Sequence, residues 1–184
     1  MEKMSTGQIR PKLSPGSSEK SEEANQDSID IKVMTLNCWG LYGVSKFRRE
    51  RMQAIGAFLA DSDQFDIVLL QEVWCHEDFD LIQTLSRDKY PFHYYFDQGI
   101  IGSGTCILTK YRLRNSNFHE FSMNGYPTKF WHGDWFAAKG LGVCQLDING
   151  FDVTVYTSHY HAEYNPSKDI YLGKMECFLG FCFA

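Results

Sequence analysis

The run Phe65-Asp66-Ile67-Val68-Leu69-Leu70-Gln71-Glu72-Val73-Trp74 constrains the fold more than any other stretch of the chain. Apolar residues from Ile67 onward do not alternate with polar ones, so this segment reads as a strand covered on both faces at the centre of a sheet. The run then delivers a carboxylate, Glu72, at the point where the strand should end. A lone carboxylate buried there would cost several kcal/mol, on the order of the penalty for an unpaired buried ion, unless a cation or hydrogen-bond donors meet it.

The preceding segment supplies a neighbour. Ile31 to Leu36 is β-rich and alternating, and it ends in Asn37-Cys38-Trp39-Gly40, a turn with an Asn at the strand's carboxyl end. Ser45 is positioned to cap a helix over about 46–60, whose apolar stripe is Phe47, Met52, Ile55, Phe58 and Leu59. Arg48, Arg49, Glu50 and Arg51 cluster at the start of that helix and read as a solvated face; the dipole disfavours cations there, which leaves a weak hint of an anionic partner. Strand, helix, strand in this order is a βαβ unit with parallel strands. Asn37 and Glu72 should then emerge at the same sheet edge, where open α/β sheets bind ligands.

Further along, 78–88 fits a short helix and 92–96 and 105–109 fit strands, with glycines between the strands. Residues 112–138 are rich in aromatics and resist assignment. Lys139–Ile148 and Phe151–Ser158 form a hairpin around Asn149-Gly150, a strong type I′ turn signal. Its second strand delivers His159 and His161. These two resemble a metal pair, but companion ligands at zinc spacing are missing. A carboxylate with an Asn suits a hard cation such as magnesium. Lys139, at the hairpin's start, is the fourth polar group at a strand end.

Composition narrows the classes. The 184 residues are 43% hydrophobic and 15% aromatic, enough for one domain with a core. A net charge of −5 marks no nucleic-acid binder. The six cysteines form no CxxC pair and read as reduced thiols of an intracellular protein. No apolar run is long enough to span a membrane. Residues 1–29, made largely of Ser, Glu, Lys and Gln, read as a disordered polar arm.

Taken in order, Thr35-Leu36-Asn37-Cys38-Trp39-Gly40, Leu70-Gln71-Glu72-Val73-Trp74, Gly102-Ser103-Gly104, His132-Gly133-Asp134-Trp135-Phe136 and Thr157-Ser158-His159-Tyr160-His161-Ala162-Glu163-Tyr164-Asn165 resemble the endonuclease/exonuclease/phosphatase superfamily. Within it, the last two motifs make the chain similar to the magnesium-dependent neutral sphingomyelinases of the sphingomyelin phosphodiesterase 2 type. The resemblance spans residues 31 to about 175. It implies an α/β fold, the N-terminal half of a four-layer α/β sandwich like that of deoxyribonuclease I. The implied activity is hydrolysis of sphingomyelin in membrane bilayers to ceramide and phosphocholine. The resemblance assigns Glu72 to the Mg2+ ion, with Asn37 helping to hold it, His159 to the scissile phosphate, and Lys139 to a segment near substrate phosphate. That segment is often Gly-Lys in relatives, whereas here it reads Ala137-Ala138-Lys139-Gly140.

The Gly-Asp-x-Asn and Ser-Asp-His motifs that complete such sites, including the catalytic base, do not occur. Residues 30–184 are therefore expected to be the N-terminal part of a truncated catalytic domain, weakly active or inactive, with an uncovered apolar sheet face and poor solubility. The family is intracellular and membrane-associated, and this chain would be cytosolic without its transmembrane segments. Two alternatives stand beside this reading. One is another phosphodiesterase of the superfamily, a nuclease or phosphoinositide phosphatase. The other is a non-catalytic fragment that binds membrane or the full-length enzyme, its tail from Met175 to Ala184 touching a bilayer and Cys177 and Cys182 open to palmitoylation.

Overall fold

The computed structural model describes residues 29–98, 102–121 and 140–159 in full, and the backbone of 177–183. The polar arm 1–28, Lys139 and His161 lie outside the described residues. Two four-stranded sheets carry the architecture. The first contains β1 (Val33–Asn37), β2 (Ile67–Gln71), β3 (Phe92–Tyr95) and β4 (Cys106–Thr109), in the order β1-β2-β4-β3. The second contains β5 (Arg112–Glu120), β6 (Gly140–Ile148), β7 (Phe151–His159) and β8 (Cys177–Phe183), in sequence order and antiparallel throughout. Helices α1 (Arg48–Asp61) and α2 (His76–Ser86) belong to the first sheet.

β2 is buried at all five positions, and the two faces meet different partners. Val68 and Leu70 join Met34, Met52, Leu59, Phe79 and Ile82 in a core between sheet and helices. Ile67 and Leu69 face the other way and join Ile107, Cys144, Leu146, Ile148, Val153 and Val155 between the sheets. Alternation along a strand thus feeds two cores, which is why β2 carries no polar residue before Gln71. The expected uncovered apolar face is not found on this sheet, because the second sheet packs across it.

β1 and β2 are parallel, with Asn37 opposite Gln71, so both strands deliver their carboxyl ends to one edge. The Asn149-Gly150 turn has positive φ at both residues, +52° and +88°, as a type I′ turn requires. That turn sets the register that leaves His159 at the end of β7.

Ser45 does not cap α1. The capping position is Phe47, in left-handed backbone, and the Ser45 hydroxyl donates instead to the Leu41 carbonyl. Phe47 also leaves the expected apolar stripe, since it is 73% exposed. Two of the three arginines at the helix start have internal partners, and Arg49 is exposed. Arg48 pairs with Asp78 at 2.6 Å, tying α1 to the start of α2. Arg51 donates to the carbonyls of Cys38 and Trp39 at 2.5 and 2.8 Å and lies over the Trp39 ring. Its charge anchors the loop after β1, so it gives no sign of an anionic ligand. The tail segment forms an edge strand, β8, paired to β7.

Candidate active site

The polypeptide around Glu72 is fixed from several sides. As β2 ends, the Cys38 amide donates to the Gln71 carbonyl and the Gly40 amide to the Glu72 carbonyl, both at 2.8 Å. These bonds extend the β1–β2 ladder into the loops beyond the strands. Across the turn, the Val73 amide donates to the Gly104 carbonyl at 2.9 Å, and the Tyr95 hydroxyl donates to the Val73 carbonyl at 2.9 Å. Glu72 itself sits at φ +56°, a left-handed conformation that a side chain with a Cβ occupies at a cost of about 1–2 kcal/mol. The surrounding bonds hold it there and turn its side chain back over the sheet edge.

Glycines permit this closeness. A Cβ on Gly40 would run into the Glu72 carbonyl oxygen, and one on Gly104 would lie 2.7 Å from the Trp74 ring. The Trp74 ring in turn lies 6.3 Å from that of His159, centroid to centroid.

Asn37, Glu72 and His159 come together at this edge. The Asn37 amide nitrogen donates to Glu72 Oε1 at 2.7 Å, while its own oxygen accepts the Trp39 amide at 2.9 Å. Both ends of the Asn37 amide are therefore committed, and the group orients the carboxylate. His159 Nε2 lies 3.6 Å from the same Glu72 oxygen, with side-chain exposures of 11% for His159 and 20% for Glu72. Partial burial strengthens such polar contacts relative to water. Behind them, the Cys38 thiol is pushed up to about 12 by burial, so it stays a neutral packing group next to the site.

Chemically, this is a carboxylate oxygen held half-buried by an amide donor beside an imidazole. The oxygen donor set fits a hard cation, which takes one or two carboxylates and completes its shell with water and substrate oxygens. Among the described residues no cluster of three or more His, Cys, Asp and Glu side chains forms. Zinc-type ligation is therefore not built from the described residues.

Of the four site residues expected from the sequence, the structure brings Asn37, Glu72 and His159 together, and Lys139 lies outside the described residues. Arg51, Gly40, Gly104 and Tyr95 support the site without any role having been assigned from the sequence. The signal for the two glycines was their place within the Thr35–Gly40 and Gly102–Gly104 motifs. Arg51 gave none, because its partners are backbone carbonyls.

A family model described as the endonuclease/exonuclease/phosphatase family matches residues 34–173. Sphingomyelin phosphodiesterase 2 of Homo sapiens is 41% identical over 145 residues, which are 79% of this chain and 34% of that protein. A putative neutral sphingomyelinase of Drosophila melanogaster is 42% identical over 143 residues, 78% of this chain and 32% of that one. An inositol phosphosphingolipids phospholipase C of Schizosaccharomyces pombe is 38% identical over 144 residues, again 78% and 34%. The chain spans about a third of the length of these curated relatives.

Among solved structures, a β-hairpin deletion mutant of Staphylococcus aureus beta toxin superposes with a TM-score of 0.60 at 21% identity, covering 73% of this chain and 52% of the toxin. The F277A, P278A mutant of the same toxin, with bound magnesium ions, gives 0.56 at 18%, covering 71% and 49%. At such identities these likenesses establish the shared fold. With the family match over most of its length, the conclusion is direct: this chain belongs to the endonuclease/exonuclease/phosphatase family.

Proposed function

We propose that the chain carries the metal-binding and phosphate-binding side of a magnesium-dependent phosphodiesterase that acts on sphingomyelin in bilayers, releasing ceramide and phosphocholine. The observation that carries this reading is the cluster at the sheet edge, Glu72 held 2.7 Å from Asn37 and 3.6 Å from His159. Relatives named as sphingomyelin phosphodiesterases at about 40% identity support the substrate class, and a structural neighbour with bound magnesium supports the ion.

Bound at Glu72, a magnesium ion would supply Lewis-acid stabilisation of charge on the phosphoryl oxygens. The chain's own groups do the rest. Asn37 keeps the Glu72 carboxylate in one orientation through its amide, and Trp39's backbone amide keeps Asn37 in place. His159, packed against Trp74, presents its Nε2 edge toward Glu72. From there it would donate to a phosphate oxygen as negative charge grows in the transition state. Lys139 would add a second cation near the phosphate.

Deprotonating the attacking water needs a base, and Glu72 and His159 are both engaged otherwise. Turnover by these residues alone should be weak. We read residues 30–184 as the N-terminal portion of the catalytic domain; the expected arm 1–29 ends one residue earlier, because Ile29 packs against the core between the sheets.

A sphingomyelin mixed-micelle assay tests the proposal. Magnesium-dependent release of phosphocholine should be small and lost in both Glu72→Gln and His159→Gln. Release retained by Glu72→Gln would contradict the site.

A further inference from the structure

The segment 39–47, between β1 and α1, gathers an unusual surface. Trp39, Tyr42, Val44 and Phe47 are 49, 74, 64 and 73% exposed. They account for half of the eight large exposed hydrophobic side chains among the described residues. Single exposed apolar residues need no explanation, but four within the nine residues of one loop do. Folding does not account for this one. Phe47 and Trp39 both sit in left-handed backbone, at φ +51° and +46°, a conformation costly for bulky residues. An exposed phenylalanine in such a conformation buries nothing in return.

The loop is nonetheless held in shape. Arg51 clamps the carbonyls of Cys38 and Trp39 and lies 5.1 Å from the Trp39 ring centre. Arg48 lies 5.0 Å over the Tyr42 ring. On the same stretch Lys46 and Arg49 are exposed, with Glu50 exposed at the next position. The loop also begins two residues after Asn37, so its position is fixed relative to the Glu72 edge.

We propose that loop 39–47 is a bilayer-docking element, which seats Tyr42, Val44 and Phe47 in the interfacial zone of a lipid membrane beside the Glu72 cluster. The proposal rests on the reading of that cluster as a site for a membrane lipid. The chemistry of the loop favours a bilayer over a protein partner. Tyr and Trp rings prefer the headgroup level, aliphatic and phenyl tips enter the acyl boundary, and flanking Lys and Arg meet anionic headgroups. A stable protein interface takes about 20–30 residues a side, far more than this nine-residue loop offers.

The experiment is sedimentation of the full chain with vesicles of phosphatidylcholine and phosphatidylserine, containing no sphingomyelin and no magnesium. The parent should bind. A combined Tyr42→Ser, Val44→Ser, Phe47→Asn variant should lose at least about tenfold in partition coefficient, with its circular dichroism unchanged. As a second measurement, Val44→Trp should gain fluorescence that brominated-chain phosphatidylcholine quenches beyond the parent's own signal.

Equal binding by parent and triple variant, or no added quenching at position 44, would overturn the proposal. So would a concentration-dependent dimer that the triple variant abolishes while vesicle binding persists, which would assign the loop to a second protein copy. Because these vesicles hold neither substrate nor metal, failure here leaves the hydrolytic reading intact. Failure of hydrolysis likewise leaves this result standing.

Discussion

Gly40→Ala should disable the site without touching any group proposed for the chemistry. The backbone amide of Gly40 donates to the Glu72 carbonyl at 2.8 Å, and a Cβ at position 40 would overlap that same oxygen. The obstacle is backbone, so no rotamer change can relieve it, and the Met52 methyl 3.1 Å away blocks the other side. The loops after β1 and β2 must separate. Forced overpacking of this kind costs about 1–3 kcal/mol, and the broken hydrogen bond about 1 more, so the variant should lose roughly 2–4 kcal/mol.

Gly43→Ala provides the internal control. Gly43 is at φ +75° with no atom near its absent Cβ, so its substitution carries only the left-handed backbone cost of about 1–2 kcal/mol. Urea denaturation of the full chain, followed by circular dichroism, measures both. Gly40→Ala should be clearly the worse and should also weaken magnesium binding. If it were as stable as Gly43→Ala or better, the tight approach of the two loops would be wrong, and with it the account of how Glu72 is held.

Other outcomes follow from the same geometry. Glu72→Gly should be about 1 kcal/mol more stable than Glu72→Ala in thermal unfolding, since glycine relieves the positive φ; the reverse order would mean that the turn is unstrained. Arg48→Met strips the partner from Asp78, whose carboxyl burial already holds above its ordinary value despite that arginine. A carboxyl raised in the folded state binds its proton more tightly folded than unfolded, so stability falls as pH rises through the interval between the two values. Removing Arg48 raises the folded value further. The variant's deficit, about 3 kcal/mol near neutral pH for a pair whose arginine is 22% exposed, should therefore shrink as pH falls toward about 4, and a deficit constant with pH would contradict the pairing.

Much of this could be read in the residues themselves. The unbroken apolar run of β2 announced a strand between two layers, and Asn149-Gly150 announced its hairpin, because both signals are local. The Asn37–Glu72 pairing was legible too, since parallel neighbours must end at one edge. His159 was different. Spacing could bring it to a strand end, but only the packing of the second sheet across the first puts it within 3.6 Å of Glu72. The start of α1 misled for a tertiary reason. Ser45 has the right chemistry for a cap, yet the clamp between Arg51 and the Cys38 and Trp39 carbonyls draws the loop into a path where Phe47 takes that position.

Glu72, positioned by Asn37, is the proposed ligand of the divalent ion. Calorimetric titration of magnesium into the full chain, its Glu72→Gln variant and its Asn37→Ala variant tests it most directly. The parent should show a single site, Glu72→Gln no measurable binding, and Asn37→Ala binding weakened by about tenfold, as for loss of a group that orients a ligand. Equal magnesium affinity in the parent and Glu72→Gln would contradict it.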